Sequence, residues 1–149
     1  MKNNKGFSMI ELIVVIAVLA VLVGILAPTL VKYVNKARLS VDIDTGKEIA
    51  KAIMAAVTEE NVKDNAVGHT TPQKVEDMDG SDFKKEVYAN LGVDKIEGKS
   101  KKDVDGNILS DPVFYYTLDA SKNKVEIYYG GITDEYQIYP KTGKKLLSD

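Results

Sequence analysis

An apolar run from Phe7 to Val31 constrains this chain more than any other feature. From Leu12 to Ala27 every residue is apolar or Gly. As a helix, the run from Phe7 to Val31 is about 37 Å long at ~1.5 Å per residue, enough to cross a bilayer core of ~30 Å. Charge returns with Lys32, Lys36 and Arg38, and polar residues dominate after them. The 149 residues therefore divide into an oily stem and a soluble body with room for one ordinary domain, which must bury its own core. One carboxylate, Glu11, sits inside the oily run, where a charge is hardest to solvate.

The run follows a basic leader, M-K-N-N-K-G, that ends at Gly6. A secretory signal places its small-residue cleavage site after the apolar region. Here Gly6 precedes that region, and no A-x-A-like site follows it. Two readings are open. In the first the segment is an uncleaved anchor, and Glu11 snorkels to the interface. In the second the chain is cut after Gly6 and keeps the oily segment. The positive-inside rule holds the leader in the cytoplasm and the body outside, although Lys32, Lys36 and Arg38 flank the far end. A central charge costs ~2.5–3.5 kcal/mol on insertion scales, and less near a helix end. Cleavage would create an ammonium on Phe7, four residues before Glu11. Pairing the two within one helix gains little. A neighbouring copy shifted along the axis could bring its Phe7 ammonium to this Glu11, offsetting the burial of both charges and fixing the register between copies.

The stretch G-F-S-M-I-E-L-I-V-V-I-A-V-L-A-V-L resembles the class III leader and N-terminal helix of type IV pilins and the related pseudopilins. The specific match covers Lys5 to about Leu22, with a looser helical continuation into the fifties. Ser8 stands where Thr is commoner in that family, and Met9 where Leu is commoner. The resemblance implies cleavage after Gly6 by a membrane prepilin peptidase, which then N-methylates Phe7. It implies a role for Glu11 in methylation and in docking onto a growing filament, and an inner-membrane assembly platform as a further partner. The subunit would lie in membrane lipid before assembly and in an extracellular filament afterwards.

Along the stem, Pro28 removes a backbone donor and clashes with the carbonyl of Gly24, four residues back. Local bending, or partial unwinding between about Ala20 and Pro28, is the expectation. From Val31 onward Val34, Ala37, Val41, Ile49, Ile53, Ala56 and Val57 recur at helical steps, with Lys32, Lys36, Asp44, Lys47, Glu48 and Lys51 between them. Gly46 weakens the middle by about 1 kcal/mol relative to Ala. The helix is expected to reach about Glu59, Asn61 or Lys63, with the apolar stripe packed on the body.

Residues 61–80 read as loop. His69, the single histidine, has no Cys or second His beside it and reads as a solvated loop residue rather than a metal ligand. Residues 81–91, S-D-F-K-K-E-V-Y-A-N-L, read as a short helix. Asp79 or Ser81 could cap it, Phe83, Val87 and Leu91 face inward, and Gly92 ends it. Three runs then read as strands of an antiparallel meander: V-F-Y-Y-T-L (113–118), V-E-I-Y-Y (125–129) and E-Y-Q-I-Y (135–139), closed by Pro140. A sheet laid on the stem helix gives a two-layer α+β body, and the resemblance implies the same arrangement. Many members of that family staple the C-terminal region with a disulfide. This chain has no Cys, so packing alone must hold it. Tyr115, Tyr116, Tyr128, Tyr129, Tyr136 and Tyr139 cluster in the strands. Strict alternation puts about half of them outside, either as ordinary sheet aromatics or as a contact patch.

The composition argues against several functions. Net charge is −2, and loss of Lys2 and Lys5 with the leader would leave 18 basic against 22 acidic side chains, or −4. Specific nucleic-acid binding is not expected, since phosphate binding needs clustered cations. The absence of Cys excludes disulfides, Cys-based zinc sites, thiol catalysis and lipidation on Cys. D-V-D-G-N (103–107) sets Asp103, Asp105 and Asn107 at alternate positions, as calcium loops do. Yet the EF-hand's sixth place holds Ile108 and its twelfth holds Phe114, so the segment reads as a turn. No phosphate-binding glycine pattern and no nucleophile paired with a base occurs, Glu59-Glu60 needs only water, and no cofactor or catalysis is expected.

The expected organisation is a leader (1–6), a transmembrane and assembly helix (7–31), its amphipathic continuation (32–60) and a globular head (61–149). The expected function is that of a filament subunit, a major pilin above all, polymerising through its stem into a homo-oligomeric fibre for adhesion, motility or surface colonisation. The alternatives are a pseudopilin of a type II secretion or DNA-uptake system, or a single-pass, membrane-anchored extracellular binding domain.

Overall fold

The apolar run and the amphipathic stretch that follows it form one long helix, α1 (Met9–Thr58). The computed structural model describes residues 6–59, 68–78, 81–119 and 123–147. The chain separates into two compact units, Met1–Val34 and Asn35–Asp149. In the first, every residue from Gly6 to Val34 is exposed. α1 runs as helix through Gly24 and Pro28; the partial unwinding considered there is an expectation for packed copies rather than for the single chain. α1 ends at Thr58, whose hydroxyl donates to the Ala55 carbonyl at 2.6 Å. The later ends considered at Asn61 and Lys63 lie outside the described residues, as does Glu60.

The second unit is α+β. After α1 come β1 (Gln73–Lys74), a 3₁₀ turn (Val75–Asp77), α2 (Ser81–Leu91), β2 (Phe114–Asp119), β3 (Lys124–Tyr129), a 3₁₀ turn (Asp134–Tyr136) and β4 (Gln137–Tyr139). The four strands form an antiparallel sheet in the order β1-β2-β3-β4. The meander thus holds one strand more than the sequence predicts, because β1 lies within the stretch read as loop. The last predicted strand is shorter: residues 134–136 turn, and only Gln137–Tyr139 pair with β3. α2 has the predicted limits, buries Phe83 and Val87 with Leu91 half-buried, and stops at Gly92, whose φ of 67° suits a residue without a side chain. Of the two caps considered for it, Asp79 lies outside the described residues, and Ser81 is the first helical residue.

On the core face of the sheet, Phe114 pairs with Tyr129, Tyr116 with Ile127 and Leu118 with Val125, and all six are buried. They pack with Ile49, Ala50, Ile53, Ala56 and Val57 of α1 and with Ile138 of β4. The stripe that α1 buries differs from expectation in its first half. Val34, Ala37 and Val41 are exposed, and Leu39, Asp42 and Gly46 are buried instead. Gly46 is a packing position, since a Cβ there would lie 2.5 Å from Ile138 Cδ1.

Asp42 explains the shift. It is 1 % exposed and accepts the backbone N–H of Lys99 at 2.8 Å and of Ser100 at 2.7 Å. The Tyr129 hydroxyl donates to the Ser100 carbonyl beside it. The Ser100 hydroxyl donates to the Lys102 carbonyl at 2.8 Å and lies 3.2 Å from Asn35 Oδ1, while Asn35 Nδ2 donates to the Asp103 carbonyl at 3.4 Å. This polar knot ties α1 to the long segment between α2 and β2. Burial pushes the Asp42 carboxyl up from its ordinary 3.8, against the pull of the two amides. Burial, and then the Asp42 charge, push the Tyr129 hydroxyl up as well. Gly98 belongs to the same device, because a Cβ there would stand 2.2 Å from the Tyr129 hydroxyl.

The tyrosines depart from the expected half-outside pattern. Tyr116, Tyr128 and Tyr129 are buried, and Tyr115, Tyr136 and Tyr139 are half-buried. Their hydroxyls find local acceptors: Tyr115 donates to Asp111 at 2.8 Å and Tyr128 to Glu126 at 3.0 Å. A tyrosine can bury its ring once its hydroxyl has a partner.

Candidate functional site: the N-terminal helix start

Ser8 is the last residue before α1, and Met9 opens the helix. The first turn of any helix leaves backbone N–H groups without partners. Here the Ser8 hydroxyl accepts from the Ile10 N–H at 3.4 Å, and Glu11 Oε2 accepts from the Ser8 N–H at 2.8 Å. S-M-I-E is thus a capping-box variant: glutamate takes the N–H of the capping serine, while the serine hydroxyl takes the N–H of Ile10 rather than that of Glu11. The position also suits a carboxylate electrostatically, since a helix N-terminus carries partial positive charge. The placement of a charge in the oily run has a local cause even in one chain. Sequence reasoning missed this contact, although the signature S-x-x-E stood in plain view.

Around this start the side chains are bare. Phe7 is 87 % exposed, and the apolar residues up to Val31 are all exposed. By length and composition α1 can cross a membrane near the N-terminus. Among the described residues Glu11 Oε1 accepts nothing. Gly6 and Phe7 precede the helix outside any regular element, and both are exposed.

Residues 1–27 match the family model of the prokaryotic N-terminal methylation motif. The N-terminal segment is type IV pilin-like. The match takes in the prepilin leader, Gly6, Phe7 and Glu11, and it ends just before Pro28. It points to a type IV pilin or pseudopilin, a structural class rather than an enzymatic one. No curated protein and no solved structure matches the chain.

The weak metal candidates lie elsewhere, in the 103–107 turn. Asp103 is buried, and its carboxylate accepts from the Asn107 N–H at 2.8 Å and the Asn107 Nδ2 at 3.1 Å. Lys145 Nζ stands 3.8 Å from Asp103 and 2.7 Å from Asp105. A cation of the chain itself thus serves both carboxylates, and the segment is a turn that clamps the C-terminal loop. Among the described residues no three His, Cys, Asp or Glu side chains are grouped to hold a metal. His69 is half-buried rather than solvated. Its carbonyl accepts from the Leu118 N–H at 2.8 Å, and its ring meets Tyr116 edge-on at 6.3 Å.

Proposed function

We propose that this chain is a structural subunit of a type IV pilus, a major pilin, which polymerises through its N-terminal helix into an extracellular filament. One observation carries the reading. A helical segment that bears the methylation motif exposes every side chain from Phe7 to Val31, so a membrane and then neighbouring stems must supply what the chain does not. Lipid covers that surface before assembly, and parallel copies cover it afterwards.

In this reading a prepilin peptidase cuts between Gly6 and Phe7 and methylates the new amine. The Phe7 ammonium of one copy then meets Glu11 of the next. The capping box prepares that step, because it holds Oε2 on the Ser8 N–H, and among the described residues nothing donates to Oε1. Two charges moved into an apolar shaft each cost several kcal/mol unless paired, and pairing between copies rewards one register only. Successive copies related head to tail form an open assembly that grows as a fibre. Gly24 and Pro28 are the points at which the stem would bend when packed.

The experiment is Glu11→Ala in the native cell. The protein should be made and cleaved as before, while filaments fall to a small fraction of the parent amount. Filaments at parental abundance would contradict the pairing.

A further inference from the structure

We propose that Lys32, Lys36 and Arg38 form a collar that binds anionic phospholipid headgroups on the outer face of the membrane before assembly. The inference rests on the reading of the oily segment as membrane-spanning with the body outside. α1 remains helical through these positions. Residues 32–38 rise about 9 Å, close to the ~5–8 Å depth of one headgroup layer beyond the hydrocarbon core. Into that span fall three cations and Tyr33, and no Asp or Glu occurs between Leu12 and Val41.

Lys32 and Arg38 are exposed, Lys36 is half-buried and Tyr33 is 67 % exposed. Among the described residues none of the three cations is in an ion pair. By contrast, Lys74 is held by Asp111, Lys124 by Glu126 and Lys145 by Asp105. Among the described residues, therefore, no carboxylate of the chain takes up the collar's charge. Topology does not account for it either, because cations on the outer flank run against the positive-inside rule. A tyrosine at the same level suits the membrane–water interface. The chain as a whole is acidic, so the cluster is a local feature and its partner a surface of phosphates at a fixed height.

The chain has no Trp, so Tyr33→Trp places a single emitter at the junction. The full chain bearing it is reconstituted into vesicles of phosphatidylcholine and phosphatidylglycerol, with bromine carried on one lipid or the other. Each cation near an anionic surface favours it by roughly fivefold. Brominated phosphatidylglycerol should therefore quench several-fold more strongly than brominated phosphatidylcholine at equal fraction. Adding Lys32→Gln and Arg38→Gln, which spares half-buried Lys36, should remove most of the preference, and Lys36→Gln the remainder. Equal quenching in the parent, or a preference that survives all three changes, overturns the collar. Insertion is followed in parallel by resistance to alkaline extraction. Insertion without preference sinks the collar alone, and failure to insert sinks the membrane reading with it.

Discussion

Removing the Asp42 carboxylate should loosen the head more than any other single polar change at α1. Among the described residues the buried apolar side chains lie from Leu39 onward, so a soluble fragment starting at Asn35 keeps the whole core. In Asp42→Ala the Lys99 and Ser100 amides, now at 2.8 and 2.7 Å from the carboxylate, lose their acceptor. A buried donor left unsatisfied costs ~1–3 kcal/mol, so the pair costs ~2–6 kcal/mol. Relief from burying a carboxylate returns part of this, leaving about 3 kcal/mol. Against a domain stability of ~5–15 kcal/mol that is large, and it corresponds to a Tm about 10 °C lower. Urea and thermal unfolding of the fragment give both numbers. A loss below about 0.5 kcal/mol, the scale of an ordinary surface change, would refute the argument. The pH dependence adds an independent check with Asp42→Asn. Because burial raises the Asp42 carboxyl above 3.8, the folded chain keeps a proton that the unfolded chain has already lost. The stability it contributes is fully present below 3.8 and declines as the pH rises through the folded value. The margin of the parent over Asp42→Asn should therefore widen as the pH falls from 7 towards 4. A margin that narrows would contradict the assigned shift.

Three further outcomes follow from particular contacts. Gly46→Ala should lower head stability even though Ala gains about 1 kcal/mol in helix propensity, because its Cβ meets Ile138 at 2.5 Å; overpacking costs ~1–3 kcal/mol, and a rise in Tm would contradict the close approach. Ser8→Ala should weaken the start of α1 by about 1 kcal/mol, read as roughly fivefold faster amide exchange at Ile10 in detergent, and unchanged exchange would remove the capping box. Glu11→Ala should abolish most filaments while leaving cleavage intact, as counted by electron microscopy and by the size of the cellular protein.

What the sequence disclosed follows from which forces are local. The oily run, α2 and the core faces of β2 and β3 were legible because burial repeats at the period of the element itself. The first half of the α1 stripe was not. Val34, Ala37 and Val41 obey helical spacing, yet the buried side is set by Asp42 and Gly46. Their burial depends on the Lys99 and Ser100 amides and on Ile138, residues more than fifty positions away. A buried Asp gives no sign of itself until its partners are known. β1 was missed because two residues carry no periodicity, and its pairing is dictated by Tyr115 and Tyr116 of β2. The tyrosines misled because alternation assumes one face in water, whereas Asp111 and Glu126 satisfy hydroxyls whose rings lie half or fully buried. At the candidate site Gly6, Phe7 and Glu11 stood out by their order, a small residue before the oily run and one carboxylate within it. The Ser8 contact was equally local, but the apolar residues around it drew the reading towards the membrane.

The central claim is that cleavage after Gly6 frees the Phe7 amine and that the oily segment behind it is then shared between copies. The native N-terminus tests it most directly. Mass spectrometry of protein taken from its own cell should find a chain that starts at Phe7 with a methylated amine. A chain that still carries Met1 and the residues up to Gly6 would contradict the account.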